Sequence, residues 1–455
     1  MSASPRLRVM LAAQAAFMIG FSSVVPFIAV LADDRFALGP AAVGATVGAR
    51  VAVQQGLFIV GGALADRLGP RALLLTGCAV RAVGFVMLAL APTPAVFVIA
   101  VLLIGMAGAL FSPAVDAYVG AADAASRARP RPVGARRWSA PTPFAALALA
   151  GEAGGIVGAA VGALFMPAYA VPVVIVASAV FIAALVVLAR LLPARPPAAA
   201  MRDARVADGA EAGDHRDLGR PRRVLPSAIG AATVLAVYTQ LFSLLPLGMA
   251  ARGVGGGWVG AVSIVLSATV VLLQWPLSRV AERLTRPRAV AAGVAAALAA
   301  AVAGAVSAAA ASVPAFAAAA ASAAVCTALA VMLATPSAQS LVAAAGPISR
   351  RATRLGALAS AGGVLALAAS ALAGAVAGAS GLAAAWLIVA LLPAAGLVFA
   401  CIGARTVPDP TTREEHHDHP PSIPEDRRRR PDRPSSAGTE RLLRRRWRRP
   451  RRRVR

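Results

Sequence analysis

Gly62-Ala63-Leu64-Ala65-Asp66-Arg67-Leu68-Gly69-Pro70-Arg71 joins two long apolar stretches in only a few residues. Gly69 allows a tight turn and Pro70 stiffens it. Asp66 then falls at the edge of an apolar layer. A carboxylate there can bond Arg or accept the free N–H groups that open the next helix. A rigid, charged turn of this kind suits a latch that holds in one conformation and breaks in another. The expected latch residues are Gly62, Asp66, Arg67, Gly69 and Arg71.

The stretches on either side of this turn belong to a series. A membrane-crossing helix needs about 20 mainly apolar residues. Twelve stretches of the 455-residue chain qualify, at roughly 10–31, 42–63, 72–91, 95–118, 142–166, 170–192, 225–249, 257–278, 289–311, 313–341, 354–377 and 380–403. The softest boundary lies in the Ala-dense pair 289–341, whose two members almost touch at Val313-Pro314. Ala forms helix well but is only mildly apolar. Composition points the same way: 58% of residues are hydrophobic and 14% are charged. A soluble chain carries about a quarter charged residues. This one cannot cover a water-facing surface, and lipid removes the need for one. The first stretch follows Arg6 and Arg8 and reaches Leu31 without a small-x-small cleavage site before Asp33-Asp34. It reads as a retained span and not as a cleaved leader.

Charge then sets orientation. The formal net charge is +25, and every basic residue is Arg. With the N-terminus in the cytoplasm, inner loops hold Arg67 and Arg71, the cluster Arg127 to Arg137, Arg195 to Arg223, Arg279 to Arg288, and Arg350, Arg351 and Arg354. Outer loops hold only Arg35 and Arg252. That asymmetry follows the positive-inside rule and supports an even number of spans, with both termini cytoplasmic. It also accounts for the basic residues without a nucleic-acid partner.

The chain divides into 1–192, a first set of six spans; 193–224, a Pro- and charge-rich cytoplasmic linker; 225–404, a second set of six; and 405–455, a basic tail. Linker and tail cannot bury enough apolar area to fold alone, so both are expected to be disordered. The halves echo each other. Ala65-Asp66-Arg67-Leu68 is matched by Ala281-Glu282-Arg283-Leu284, and both are followed by a Pro-Arg pair, Pro70-Arg71 and Pro287-Arg288. Phe111-Ser112-Pro113 is matched by Ala334-Thr335-Pro336. Internal repeats of this kind mark secondary transporters, with the substrate path between halves. The tail ends in a run of Arg around Trp447, which would be drawn to anionic lipid.

The turn at 62–71 resembles the signature loop of the major facilitator superfamily: a Gly, three residues, Asp-Arg, one residue, Gly, one residue, then a basic residue. The stretch 50–90, with Arg50, Gln54-Gln55-Gly56 and Arg81-Ala82-Val83-Gly84-Phe85, is similar to the bacterial multidrug-efflux, drug/proton antiporter branch. So is Gly108-Ala109-Leu110-Phe111-Ser112-Pro113. The resemblance covers roughly residues 6–404. It implies an all-α polytopic membrane protein of twelve transmembrane helices in two six-helix bundles, the major facilitator fold. It further implies a central cavity and rocker-type alternating access, often driven by protons. The fifth span departs from the antiporter pattern. Gly151, Gly154, Gly155, Gly158 and Gly162 fit close helix packing, but the Gly-Pro step is missing. The second-half loop, Glu282-Arg283-Leu284-Thr285, lacks its glycine.

Charges inside spans are costly in lipid and should face protein or a wet cavity. Glu152, Asp116, Arg50 and Arg81 are therefore candidates for proton coupling or for an intramembrane polar network. Glu152 stands out, because a carboxylate in an otherwise apolar, Gly-rich helix can load and release a proton as its surroundings change. A static salt bridge to Arg50 or Arg81 is the alternative. Gln14, Gln54, Gln55, Tyr238, Gln240, Gln274 and Trp275 are candidates for lining the cavity.

The sequence contains no HExxH, GxSxG or P-loop, which argues against a membrane enzyme and against an ATP-driven pump. Cys78, Cys326 and Cys401 lie far apart in apolar stretches, with neither disulfide nor zinc spacing. His416, His417 and His419 make a small cluster in the tail without a ligand pattern. No cofactor or metal is expected, and the protein is expected to be a monomer. The reading is a plasma-membrane secondary transporter of small amphipathic molecules, working as a proton-coupled efflux protein. The alternative is a carrier of another solute class, such as a sugar or an organic acid.

Overall fold

The computed structural model describes residues 5–127, 143–192, 221–345 and 351–406. The basic cluster at 129–137, linker residues 193–220, Arg350 and the tail from 407, with its histidines and Trp447, lie outside the described residues. Every regular element among the described residues is helical: α1 (Pro5–Ser22), a 3-10 turn (Val25–Phe27), α2 (Ile28–Phe36), α3 (Pro40–Gly56), α4 (Phe58–Leu68), α5 (Pro70–Leu90), α6 (Pro94–Arg127), α7 (Pro143–Leu191), α8 (Pro221–Gln240), α9 (Leu244–Ala250), α10 (Gly257–Arg283), α11 (Arg286–Ala309), α12 (Val313–Ala344), α13 (Arg351–Ser380) and α14 (Leu382–Thr406). Ten of the helical stretches are long and apolar enough to cross a membrane. Large apolar side chains such as Leu164, Leu272 and Leu391 stand exposed on helix flanks. Lipid tolerates that surface and water does not. The chain is a multi-pass membrane protein.

Several elements differ from the stretches read in the sequence, each for a local reason. The stretch 42–63 is divided at Leu57, whose φ of −85° and ψ of −1° flatten the turn between α3 and α4. Gly56, a weak helix former, precedes it. The stretches 142–166 and 170–192 run together as α7, which Tyr169 breaks with a non-helical φ of −133° and ψ of 45°. Pro167 and Pro172 flank the break, and each removes a backbone donor. The linker ends earlier than 224, because α8 already begins at Pro221. The Ala-dense pair separates cleanly at 310–312, where the Ser312 side chain accepts from the Ala315 amide and starts α12.

Small residues let the helices approach. α1 packs along α7, where a Cβ at Gly154 or Gly158 would collide with the carbonyls of Ala15 or Ile19. α3 packs along α13 in the same manner: a Cβ at Gly44 would meet the Ser370 carbonyl, and one at Gly374 the Pro40 carbonyl. α7 also packs on α10, where Gly260 faces Ala159 and Ala163. Two pairs of helices, α3 with α13 and α7 with α10, thus join segments from opposite sides of the linker.

Two arginines close helix ends. Arg35 donates to the carbonyls of Leu88, Ala89 and Ala91 at the C-terminus of α5, at 2.8, 3.1 and 3.0 Å. Arg252 donates to those of Ser307, Ala308 and Ala310 at the C-terminus of α11, at 3.1, 2.7 and 3.2 Å. Both groups of carbonyls lie at a helix end, where most lack an intrahelical partner; that of Ser307 also accepts from the Ala310 amide.

Candidate functional site

A cavity of about 440 Å³ lies among α1, α3, α7, α8, α10, α12 and α13. Its wall is mostly apolar, with Met18, Phe21, Leu235, Phe242 and Val331, and carries a few polar groups: Arg50, Gln54, Glu152, Tyr238, Ser267 and Gln339. A second cavity of about 300 Å³ shares Arg50, Gln54, Gln55 and Tyr238 with the first and adds Gln14, Arg81 and Asp116. An apolar pocket with a few convergent polar groups is the usual form of a small-molecule site.

The structure therefore brings eight of the intramembrane candidates together: Glu152, Asp116, Arg50, Arg81, Gln14, Gln54, Gln55 and Tyr238 all line one or both cavities. Three others are elsewhere. Gln240 is buried and ties α8 to α13, its Nε2 donating to the Ser370 hydroxyl at 3.0 Å. Gln274 is exposed one helical turn beyond Val270, a wall residue on α10. Trp275 points away from that wall, because eight residues at about 100° each turn it some 80° from Ser267. Its ring is 53% exposed and carries the Arg279 guanidinium 3.8 Å from its centroid.

Glu152 on α7 and Ser267 on α10 line the same cavity wall. The tight packing of these helices brings the pair together. Gly155, one residue short of a full turn from Glu152, leaves its Cβ position 3.2 Å from the Ser267 hydroxyl. Tyr238 on α8 shares this wall with Glu152 and Arg50. No salt bridge joins Glu152 to Arg50 or Arg81 among the described residues.

The two arginines are buried, at 5% and 3% exposed, and are served unequally. Arg81 donates to the Ile104 carbonyl at 3.1 Å. Its guanidinium carbon lies 4.5 to 5.4 Å from the ring centroids of Phe111, Phe21 and Phe181. Arg50 donates to Gln54 Oε1 at 3.2 Å and has one ring, Phe21, at 5.8 Å. Burying an ion costs several kcal/mol, about 2 kcal/mol of which a desolvated ring can offset and about 1 kcal/mol a neutral hydrogen bond. Three rings come close to balancing Arg81; one does not balance Arg50.

The charged turn is partly described. Gly69 has a φ of 84°, which favours glycine, and Pro70 opens α5. Arg67 is exposed, and Arg71 donates through Nη2 to the Ala189 carbonyl near the end of α7. The surroundings of Gly62 and the side chain of Asp66 lie outside the described residues.

Sequence reading missed Ser22, Ser263, Ser267, Thr335 and Gln339 as wall residues. Hydroxyls in apolar helices commonly bond back to their own helix, as Ser263 does to the Val259 carbonyl, so a lone Ser carries little signal. Gln339 was more visible, as an amide in an Ala-dense stretch.

Membrane-length helices arranged around a partly polar internal cavity define a polytopic protein of carrier architecture. The profile of the Major Facilitator Superfamily matches residues 10–335, and the chain belongs to that superfamily. It is 42% identical over 120 residues to an uncharacterized MFS-type transporter of Mycobacterium tuberculosis (strain ATCC 25618 / H37Rv), covering 26% of this chain and 28% of the relative. It is 30% identical over 268 residues to multidrug resistance protein MdtH of Yersinia pestis (strain Pestoides F), covering 58% of this chain and 61% of MdtH. The chain thus spans less than two thirds of the length of these relatives. Among solved structures, a peptide transporter POT in complex with sulfate matches with a TM-score of 0.67 at 14% identity, covering 88% of this chain and 95% of that one. The nucleoside transporter NupG matches with a TM-score of 0.64 at 14% identity, covering 88% and 99%. At these identities the likeness concerns the fold alone.

Proposed function

We propose that this protein is a secondary active transporter that exports small amphipathic molecules across the plasma membrane by alternating access, driven by proton entry. The observation that carries the reading is the shared cavity, whose wall draws on α1, α3 and α7 before the linker and on α8, α10, α12 and α13 after it. A mostly apolar wall with few polar groups suits an amphipathic solute better than a sugar, which wants denser hydrogen bonding. The multidrug-resistance relative supports the same class of solute.

The reading includes twelve crossings in two six-helix halves. α7 has 49 residues and would extend about 74 Å as one helix, more than twice the hydrocarbon thickness of about 30 Å. Its break at Tyr169 makes it two crossings, and α3 with α4 makes one more beside the ten helical stretches of membrane length. Both termini and the 193–220 segment lie in the cytoplasm on this reading, and the basic tail meets anionic lipid. Glu152 takes up and releases the proton. The turn from Gly62 to Arg71 is the latch, with Asp66 as its carboxylate.

Everted vesicles test the transport reading directly. A panel of amphipathic compounds is offered with and without an imposed pH gradient. Gradient-dependent accumulation of one or more compounds is expected, and uptake that ignores the gradient would remove the proton-coupled reading.

A further inference from the structure

The two intramembrane arginines lack the carboxylate partner that buried guanidiniums normally have. Arg50 and Arg81 are both nearly fully buried, and both line the 300 Å³ cavity. Their guanidinium carbons lie 5.8 and 5.0 Å from the centroid of the same ring, that of Phe21. Among the described residues neither is in a salt bridge, although Asp116 shares the cavity wall and Glu152 lies on the wall of the adjoining one. Arg81 Nε is buried without a hydrogen-bond partner. Arg50 faces both cavities and spends one donor on a neutral amide, Gln54. A buried pair of like charges with unused donors favours an anion from outside the chain, and guanidiniums are shaped to bind oxyanions in fork geometry.

We propose that Arg50 and Arg81 form a receptor for an oxyanion, a carboxylate or phosphate carried on a small apolar body, which seats its head in the 300 Å³ cavity and its body in the larger one. Gln54 and Tyr238, common to both walls, stand at the junction between head and body. Met18 and Phe21 supply apolar surface beside it. The ligand class is thus narrower than amphipathic molecules at large: anionic amphiphiles are selected, and neutral or cationic ones are not. This inference rests on the transport reading above for its physiological sense, but binding can be measured without transport.

Purified protein in nanodiscs is titrated with four probes of one aromatic body: benzoate, phenyl phosphate, benzylammonium and benzyl alcohol. Inorganic phosphate is the control for a head without a body. At least one anionic probe is expected to bind saturably and more than about tenfold more tightly than benzylammonium or benzyl alcohol. Comparing benzoate with phenyl phosphate identifies the head. Arg50→Gln and Arg81→Gln should each weaken that binding by about 10- to 100-fold, the worth of a charge-assisted bond. R50K, which keeps the charge but loses the fork, should fall between. If a Gln variant does not fold, the wild-type panel and R50K still decide. Equal or tighter binding of benzylammonium or benzyl alcohol overturns the proposal, as does the absence of saturable binding by either organic anion. Anion binding without proteoliposome transport would remove the transport reading and leave the receptor. Transport of neutral or cationic compounds that benzoate and phenyl phosphate cannot inhibit would do the reverse.

Discussion

Arg252 does at the end of α11 what Arg35 does at the end of α5: each guanidinium gathers three carbonyls at a helix C-terminus. The likeness extends to neighbours. Arg35 lies 5.4 Å from the Phe36 ring, which meets Phe97 near the start of α6. Arg252 lies 4.7 Å from the ring of Phe316, near the start of α12. These are the two arginines that stand alone in the loops read as external. A positive charge is disfavoured on that side, and its retention at two matched places has a physical cause in the helix ends it closes.

Arg35→Ala and Arg252→Ala should each lower stability by about 1 kcal/mol, the lower part of the range for a charged cap because Arg35 is exposed. The sites are far apart in sequence and share no partner, so the double variant should show the sum. Thermal unfolding of detergent-purified protein gives the measurement. Melting temperatures unchanged by either substitution would show that the carbonyls are served as well by water.

On the latch reading, Asp66→Asn should reduce transport roughly tenfold or more, the worth of one charge-assisted bond. Membrane insertion and abundance should stay near wild type, because Asp66 lies near the end of α4, beside the turn to α5. The check is initial transport rate per amount of folded protein. A wild-type rate from purified D66N would end the latch assignment.

Topology has its own test. Reporters fused after Arg405 and inserted within 193–220 should both report cytoplasm, as the arginine asymmetry requires. A periplasmic signal from the Arg405 fusion would overturn the twelve-crossing count.

Helix existence was legible in this chain because length and apolarity are direct requirements of the bilayer. Breaks were less so. Nothing in Gly56-Leu57-Phe58 announces a division, since a single Gly is tolerated in many helices. Which face a polar residue takes was the harder question. When all faces of a helix are apolar, periodicity cannot separate a cavity wall from a lipid flank. Gln274 and Ser267 fall on one face of α10, yet only Ser267 reaches the cavity, because position along the helix decides. Charged residues were better guides than amides: Glu152, Asp116, Arg50 and Arg81 all line cavities, whereas Gln240 and Gln274 do not.

Glu152 carries the last prediction. Its side chain comes from a Gly-rich helix and shares a cavity wall with Ser267 of α10, a helix on the other side of the linker. Gly155 brings that helix close, so any movement of α7 against α10 changes what surrounds the carboxylate. A group whose surroundings alternate between wet and dry gains and loses its proton in step with the movement, which links proton entry to conformation. A fixed salt bridge to Arg50 or Arg81 would prevent this, and none is present among the described residues. Glu152→Gln keeps the size and the hydrogen-bonding capacity, but it cannot exchange a proton. In proteoliposomes with a fixed amount of folded protein, E152Q should still exchange substrate down its gradient while losing accumulation driven by a pH gradient. Ser267→Ala removes a neighbouring hydroxyl from the wall but leaves the carboxylate, so it should retain gradient-driven accumulation at a changed rate. If E152Q mainly lowers abundance and its folded fraction still concentrates substrate as wild type does, Glu152 is a structural residue and the proton enters by another route.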